Sequence, residues 1–350
     1  MTVVQDRGRF GYQQLGVSVS GAVDTNSLDI GNLLVGNEPD KAALEVMLGG
    51  LQIEFLRNTI FALTGANTYA TLDGIPLSLQ ISYTAHAGSR LALGMVDGTA
   101  GLRTYIAIAG GVDASTVLGS RSTHIASELG GVDGRALADG DVLSVGSPSS
   151  DATSGLMFAT DEFISRSTDL EIRVVLGPQD DEFSDAEIET FLGSTYEVTD
   201  QSNRQGLRLD GPVIESSSGR YDIVSDAVVT GSIQVPGDGK PIILLADRQT
   251  TGGYAKIATV ATIELSKLGQ AAPGAKITFK RISVSDSQQL LIERNERLTS
   301  GVLENSITLT SLQIDGVDIS VGVAEIGSVR VAELEGHVYP ISIDEITPVE

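Results

Sequence analysis

Short runs of Val, Ile, Leu and Thr, broken repeatedly by Gly, Asp and Asn, limit what this chain can fold into. Such runs suit strands that end on turns better than helices. With forty glycines and few long amphipathic repeats, they predict a largely β chain of barrels or sandwiches. Asp-Gly turns lie between alternating segments at Ala70-Thr-Leu-Asp-Gly-Ile-Pro-Leu-Ser-Leu79 and at Ser311-Leu-Gln-Ile-Asp-Gly-Val-Asp-Ile-Ser-Val321. Both read as hairpins.

A chain of 350 residues with 41% hydrophobic residues can bury two ordinary cores. The polar break Gly146-Ser-Pro-Ser-Ser-Asp-Ala-Thr-Ser-Gly155 divides it. The expected organisation is an N-terminal β domain over residues 1–150, a linker over 151–169, a second β domain over 170–284, and a helix with a β-rich tail over 285–350. A helix is predicted over Thr25–Leu34 with Asp24 or Thr25 as its cap, and another from the capping box Ser184-Asp-Ala-Glu187 to Leu192. Glu45 falls inside the apolar run Ala42–Leu48. A carboxylate there needs a partner, and structural pairing is the favoured expectation over a functional role.

Polar residues crowd behind one strand. Ile242–Ala246 reads as a buried strand that delivers Asp247, Arg248, Gln249, Thr250 and Thr251 to its exit. Gly252 and Gly253 would admit a ligand or take φ > 0, and Tyr254 and Lys256 follow. The opening of the chain has the same character: Gln5, Asp6, Arg7, Arg9 and Tyr12 stand close together, spaced by Gly8 and Gly11. His124, on the loop Gly119-Ser-Arg-Ser-Thr-His124, reads as exposed.

Composition and missing motifs exclude several classes. A formal charge of −23 argues against nucleic acid or an anionic membrane as partner. The absence of cysteine removes disulfides, thiolate metal sites and a cysteine nucleophile. There is no phosphate-binding G-x-x-x-x-G-K-[ST], no G-x-G-x-x-G, no H-E-x-x-H and no G-x-S-x-G. With three scattered histidines, no metal site is expected. No Met-Lys pair occurs, so the chain should carry no covalent biotin. No apolar run approaches the ~20 residues of a membrane span, and no basic, apolar leader opens the sequence. A cytoplasmic protein is expected.

Several segments together carry a resemblance. Val4-Gln-Asp-Arg-Gly-Arg-Phe-Gly-Tyr12, Ser20-Gly-Ala-Val-Asp24, Ala43-Leu-Glu-Val-Met-Leu-Gly-Gly50, Ala109-Gly-Gly-Val-Asp113, Leu118-Gly-Ser-Arg-Ser122, Ile233-Gln-Val-Pro-Gly-Asp-Gly239 and Asp247-Arg-Gln-Thr-Thr-Gly-Gly-Tyr254 resemble the family of the 5-oxoprolinase C subunits. That family includes allophanate hydrolase subunit 2, the urea amidolyase-related proteins and part of the biotin-dependent carboxyltransferase domain of urea carboxylase. The resemblance runs from the first residues to Ile282. It departs from the family at Val23, where methionine is usual, and at Ala255, where proline is usual, and it lacks roughly ten residues usually found ahead of Val4.

The resemblance implies two cyclophilin-like β-barrel halves and work in a complex with the A and B subunits of the same system, either as a heterotetramer with the B subunit or as a homodimer. It further implies ATP-dependent opening of 5-oxoproline to glutamate, with ATP and Mg2+ engaged together with the partner subunit. Two other activities remain open: a carboxyltransferase component of a biotin-dependent urea or amide carboxylase, and a non-catalytic regulatory partner of the B subunit.

Lactam chemistry then assigns candidate roles by residue type. A resonance-stabilised amide is a poor electrophile, so ATP must activate its oxygen, and the site needs cations and hydrogen-bonding groups around the substrate. Arg248 and Lys256 are candidates for an anionic group. Asp6 and Asp247 are candidates for the lactam N–H or a magnesium ion. Gln5, Arg9, Tyr12, Gln249, Thr250, Gly252, Gly253 and Tyr254 are candidates for binding and orienting the substrate.

Overall fold

A computed structural model describes residues 1–96, 101–158, 167–300, 308–314, 317–326, 329–334 and 337–341, with side chains described up to Leu298. The first half runs β1 (Thr2–Gln5), α1 (Thr25–Leu34), β2 (Ala43–Met47), β3 (Gln52–Glu54), β4 (Thr59–Gly65), β5 (Thr71–Leu72), β6 (Ile75–Pro76), β7 (Ser82–Ala85), β8 (Arg90–Ala92) and β9 (Arg103–Ile108). Its strands form a five-stranded sheet ordered β1-β2-β9-β4-β7 and a four-stranded sheet ordered β3-β8-β5-β6. β9 shows why the central strands read as unbroken apolar runs: both of its faces are buried. Ile106 and Ile108 join Val4, Leu44, Phe61, Leu63, Leu72 and Leu91 in one core cluster, while Tyr105 and Ala107 pack with Leu28, Ile30 and Leu34 of α1.

The second half runs β10 (Asp169–Leu176), α2 (Asp185–Gly193), β11 (Thr195–Val198), β12 (Gly206–Asp210), β13 (Asp222–Ala227), β14 (Ser232–Gln234), β15 (Ile242–Leu244), β16 (Thr251–Tyr254), β17 (Lys256–Val260), α3 (Leu265–Gln270), β18 (Lys276–Arg281) and α4 (Val284–Ser300). Seven of these strands close a barrel ordered β10-β17-β14-β15-β12-β11-β18. The ring shuts through the parallel pair β10 and β18, every other pair being antiparallel. Ile172, Val174, Leu207, Ile233, Ile243, Ile257 and Ile277 fill it, and Phe191 of α2 stacks on Phe279 at 4.4 Å. β13 and β16 form a separate two-stranded ribbon outside the barrel.

The mainly β expectation is borne out, as are both helix caps. Asp24 accepts from the Ser27 N–H at 3.0 Å, and Ser184 accepts from the Glu187 N–H at 3.3 Å. Ser184→Ala should therefore destabilise the chain by about 1 kcal/mol, the usual value of an N-cap hydroxyl; a denaturant midpoint indistinguishable from wild type would contradict it. Residues 159–166 of the expected linker lie outside the described residues. Ahead of them, Gly155 and Phe158 donate to the carbonyls of Ser82 and Gln80, which fastens residues 155–158 to the first half. In the tail, β19 (Thr308–Ile314), β20 (Val317–Ile326), β21 (Val329–Leu334) and β22 (His337–Ile341) pair in order as an antiparallel sheet. The strands predicted on either side of Gly316 do pair, although Asp315 and Gly316 themselves lie outside the described residues.

Two positions flagged by the resemblance have local explanations. Val23, from the first half, is buried among the barrel's core residues. The Ala255 N–H donates to the Tyr221 carbonyl at 3.1 Å, a bond that a proline there would remove.

Candidate active site at the seam between the halves

The two halves meet along a buried polar seam. Gln270 at the end of α3 donates to Asp24 at 2.7 Å and accepts from the backbone N–H groups of Leu102 and Arg103, each at 2.9 Å. Ser266 accepts from the Asn26 N–H, and Arg294 of α4 reaches Asp29 of α1 at 2.8 Å. Glu45 lies at the centre. It receives the Tyr105 hydroxyl and Arg204 Nη1, each at 2.6 Å, and the Val23 N–H at 3.1 Å, with Arg103 Nε at 3.4 Å. Structural pairing thus explains this carboxylate.

The electrostatics follow from the packing. Burial alone would raise the Glu45 pKa, but Arg204 and then Arg103 outweigh it and hold the group below its ordinary value. Burial likewise pulls on Arg204, and Glu45 with Asp247 holds that guanidinium protonated above its ordinary value. Asp24 goes the other way: burial raises it, against hydrogen bonds led by Gln270 and Ser27.

Beside this seam the polar opening of the chain is folded back on itself. Gly8 has φ +99°, and a Cβ there would stand 2.8 Å from the Val19 carbonyl oxygen; Gly21 has φ +93° and would place a Cβ 2.9 Å from the Arg7 carbonyl oxygen. Glycine at both positions lets two loops lie backbone to backbone. The Arg9 N–H then donates to the Val19 carbonyl at 2.8 Å, and Arg9 Nη2 donates to the Ser122 carbonyl. Gln5 Nε2 reaches the Thr123 carbonyl at 3.0 Å, and that oxygen also receives the Ser20 hydroxyl. The same hydroxyl lies 2.8 Å from Asp247 Oδ1, joining the first loops to the exit of β15.

Four buried side chains in this region have polar atoms with no hydrogen-bond partner among the described residues: Gln5 Oε1, Arg9 Nε and Nη1, His124 Nε2, and Arg248 Nε and Nη1. Buried polar groups are nearly always satisfied, so these side chains are candidates for contact with a ligand; other such atoms among the described residues, Arg103 Nε on the seam and the Tyr196 hydroxyl in the barrel, lie apart from them. The two guanidiniums differ in their surroundings. Burial lowers the Arg9 pKa against the opposing charges of Asp6 and Asp247; burial also lowers Arg248, with no acid offsetting it. Arg248 is the less compensated cation.

The structure corrects several sequence expectations. Lys256 is not a free cation: it stands on β17 and its ammonium is sealed against Asp226 Oδ2 at 2.8 Å and the Ala227 carbonyl at 3.2 Å. Asp6 and Asp247 are both engaged by protein donors. Asp6 accepts from the Gly8 and Arg121 N–H groups and from the hydroxyls of Ser120 and Ser122, and both Asp247 oxygens are held by Arg204. Gly252 and Gly253 lie in β16 without positive φ, and a Cβ on Gly252 would meet Gln234 Nε2 at 2.3 Å, so its smallness admits a protein side chain. His124 is buried rather than exposed.

Of the other candidates, Gln249 and Tyr254 are exposed, Tyr12 is half-buried at the start of a short 3-10 turn, and the Thr250 carbonyl accepts from the Val228 N–H. Sequence reasoning missed Arg204, whose loop Thr199–Gln205 carries no motif, and Ser20.

Comparison with known proteins decides the family. The carboxyltransferase domain family, subdomain A and B, matches residues 15–281. The chain belongs to that family. It is 38% identical over 286 residues to the C subunit of 5-oxoprolinase from Escherichia coli (strain K12), covering 82% of this chain and 90% of that protein. It is 35% identical to urea amidolyase of Saccharomyces cerevisiae, where the match covers 83% of this chain but spans only 16% of that protein. Among solved structures, urea amidolyase of K. lactis matches with a TM-score of 0.80 at 30% identity, over 95% of this chain and 22% of that one. The family segment thus occurs both as most of a protein named for one subunit of an enzyme and as a small part of much longer chains.

Proposed function

We propose that this chain is the C subunit of an ATP-dependent 5-oxoprolinase, opening 5-oxo-L-proline to L-glutamate with ATP hydrolysis in complex with the A and B subunits. The observation that carries the reading is the buried guanidinium of Arg248, which no acid offsets and which has two nitrogens unpartnered among the described residues; Arg9, on the loop that the Val19 carbonyl joins to the Ser20–Ala246 contact, also has two unpartnered nitrogens. One uncompensated positive charge suits one negative charge, and the substrate supplies it as a carboxylate.

In this reading Arg248, supported by Arg9, holds the carboxylate, and Gln5 Oε1 accepts the lactam N–H. Fixing both ends of the ring presents its carbonyl in one orientation, and that orientation is this chain's contribution. Mg-ATP is a substrate of the assembled complex, engaged with the partner subunit; in this chain each oxygen of Asp6 and of Asp247 already accepts from at least one protein donor. ATP phosphorylates the amide oxygen and releases ADP. One water then adds to the carbon as the ring C–N bond breaks and the nitrogen leaves as the amine, and a second water cleaves the resulting acyl phosphate, giving glutamate and phosphate.

The long match to urea amidolyase favours one other reading, a carboxyltransferase component that grips the carboxylate of carboxybiotin with the same cations. Glutamate and ADP release from 5-oxo-L-proline and Mg-ATP, with this chain and each of its two partners omitted in turn, separates them. Turnover that requires this chain is the expected result. Silence from the assembled complex, with urea-dependent ATP consumption in bicarbonate once a biotin carboxylase and its biotinylated carrier are added to this chain, would contradict it.

A further inference from the structure

We propose that Arg204 is a positioning residue of the seam site, setting the turn that carries Arg248 against the loop that carries Arg9. This rests on the reading of Arg248 as the anion-binding group.

Arg204 draws together segments distant in sequence. Its Nε and Nη2 grip the two oxygens of Asp247 at 2.8 and 2.9 Å, its Nη1 binds Glu45 Oε1 of β2 at 2.6 Å, and Nη2 also reaches the Gly21 carbonyl at 2.7 Å. Its own carbonyl accepts from the Asp247 N–H at 2.9 Å. Each anchor is held in turn. Glu45 is fixed by Tyr105 and Val23, and Asp247 by Ser20. The Ser20 N–H donates to the Ala246 carbonyl at 3.0 Å, so the turn at residues 245–248 is stapled to the loop at 18–24. That loop lies against Arg9 through the Val19 carbonyl.

The contrast among the buried arginines assigns the roles. Arg9 and Arg248 each leave two nitrogens without a partner among the described residues, whereas every nitrogen of Arg204 donates to the protein. Four of the five N–H donors of Arg204 are thus committed to the protein, and the residue acts through Asp247, the neighbour of Arg248. A planar fork with fixed donors meets these directions; the single ammonium of lysine cannot span them.

Side-chain 15N spectra of the arginine Nε–H groups in the full chain test this directly, with the Arg248 signal assigned by its loss in Arg248→Lys. In Arg204→Lys the Arg248 signal should move or broaden in acetate-free buffer, and acetate should bind at least tenfold more weakly than to wild type. In the assembled complex, the same change should raise KM for 5-oxo-L-proline about tenfold with a smaller change in kcat. An Arg248 signal at its wild-type position in Arg204→Lys, with only the melting temperature lowered, overturns the positioning role. A wild-type complex that binds acetate through Arg248 but never opens 5-oxoproline overturns the substrate reading alone. Wild-type protein whose Arg248 signal ignores acetate overturns the anion site itself.

Discussion

Arg248→Met is expected to cut 5-oxoproline turnover by the assembled complex at least about 30-fold while leaving the melting temperature unchanged or higher. Arg248 is 5% exposed, and burial lowers its pKa with no acid offsetting the cost. Keeping an uncompensated cation inside a protein is unfavourable, and replacing buried charge by an apolar side chain of similar volume is often neutral or stabilising. Losing one member of a buried charge pair in a complex costs about 2–5 kcal/mol, which sets the lower limit on the loss of activity. A structural arginine would give the opposite signature: a fall in melting temperature with the activity of the folded fraction intact. Thermal unfolding and steady-state kinetics on one preparation distinguish the two.

Glu45→Ala should be the most destabilising single change at the seam, by about 3–5 kcal/mol, because it takes the carboxylate from buried Arg103 and leaves buried Arg204 with Asp247 alone. Glu45→Gln, which keeps the volume, should cost less. The pH dependence has a definite sign. With its folded-state pKa held below the ordinary value of 4.5, Glu45 contributes stability that is fully present above that value and lost as pH falls through the folded pKa. Asp24, raised above its ordinary 3.8 by burial, acts in the reverse direction and disfavours the folded state as pH climbs through that range. Denaturant midpoints measured from pH 7 down to pH 3 should fall less steeply in Glu45→Gln than in wild type. An unchanged acid limb would mean that Glu45 is not the group that couples pH to the seam.

Local chemistry explains which features are legible in the sequence. The helix caps at Asp24 and Ser184 depend on neighbours three residues away, and both form as expected, although the Glu187 carboxylate of the expected capping box accepts from the Glu215 N–H. Strands such as Arg103–Ile108 announce themselves as short branched runs. The stretch behind β15 reads in sequence as one polar site, yet it splits. Asp247 turns toward the seam, while Thr251–Tyr254 pairs with β13 and Lys256 enters the barrel wall. Nothing in the residue types separates a lysine facing a ligand from one facing Asp226, because that partner lies 30 residues away.

The same limit hides Arg204. Its partners Glu45 and Asp247 are 159 and 43 residues distant, and only the docking of the two halves brings the three together. For Asp6 the sequence does not show its protein partners, the loop hydroxyls of Ser120 and Ser122, which lie more than a hundred residues away.

The most direct test of the account is a calorimetric titration of the assembled complex, wild type and Arg248→Met, with 5-oxo-L-proline and with 2-pyrrolidinone, the same lactam without its carboxylate. The account predicts that 5-oxo-L-proline binds wild type at least about 30-fold more tightly than the variant, a difference equivalent to the lower end of the ~2–5 kcal/mol for a buried charge pair. It predicts that 2-pyrrolidinone binds both weakly and alike. Equal affinity of the two complexes for 5-oxo-L-proline would contradict it, because the unpartnered guanidinium would then have no part in holding the substrate.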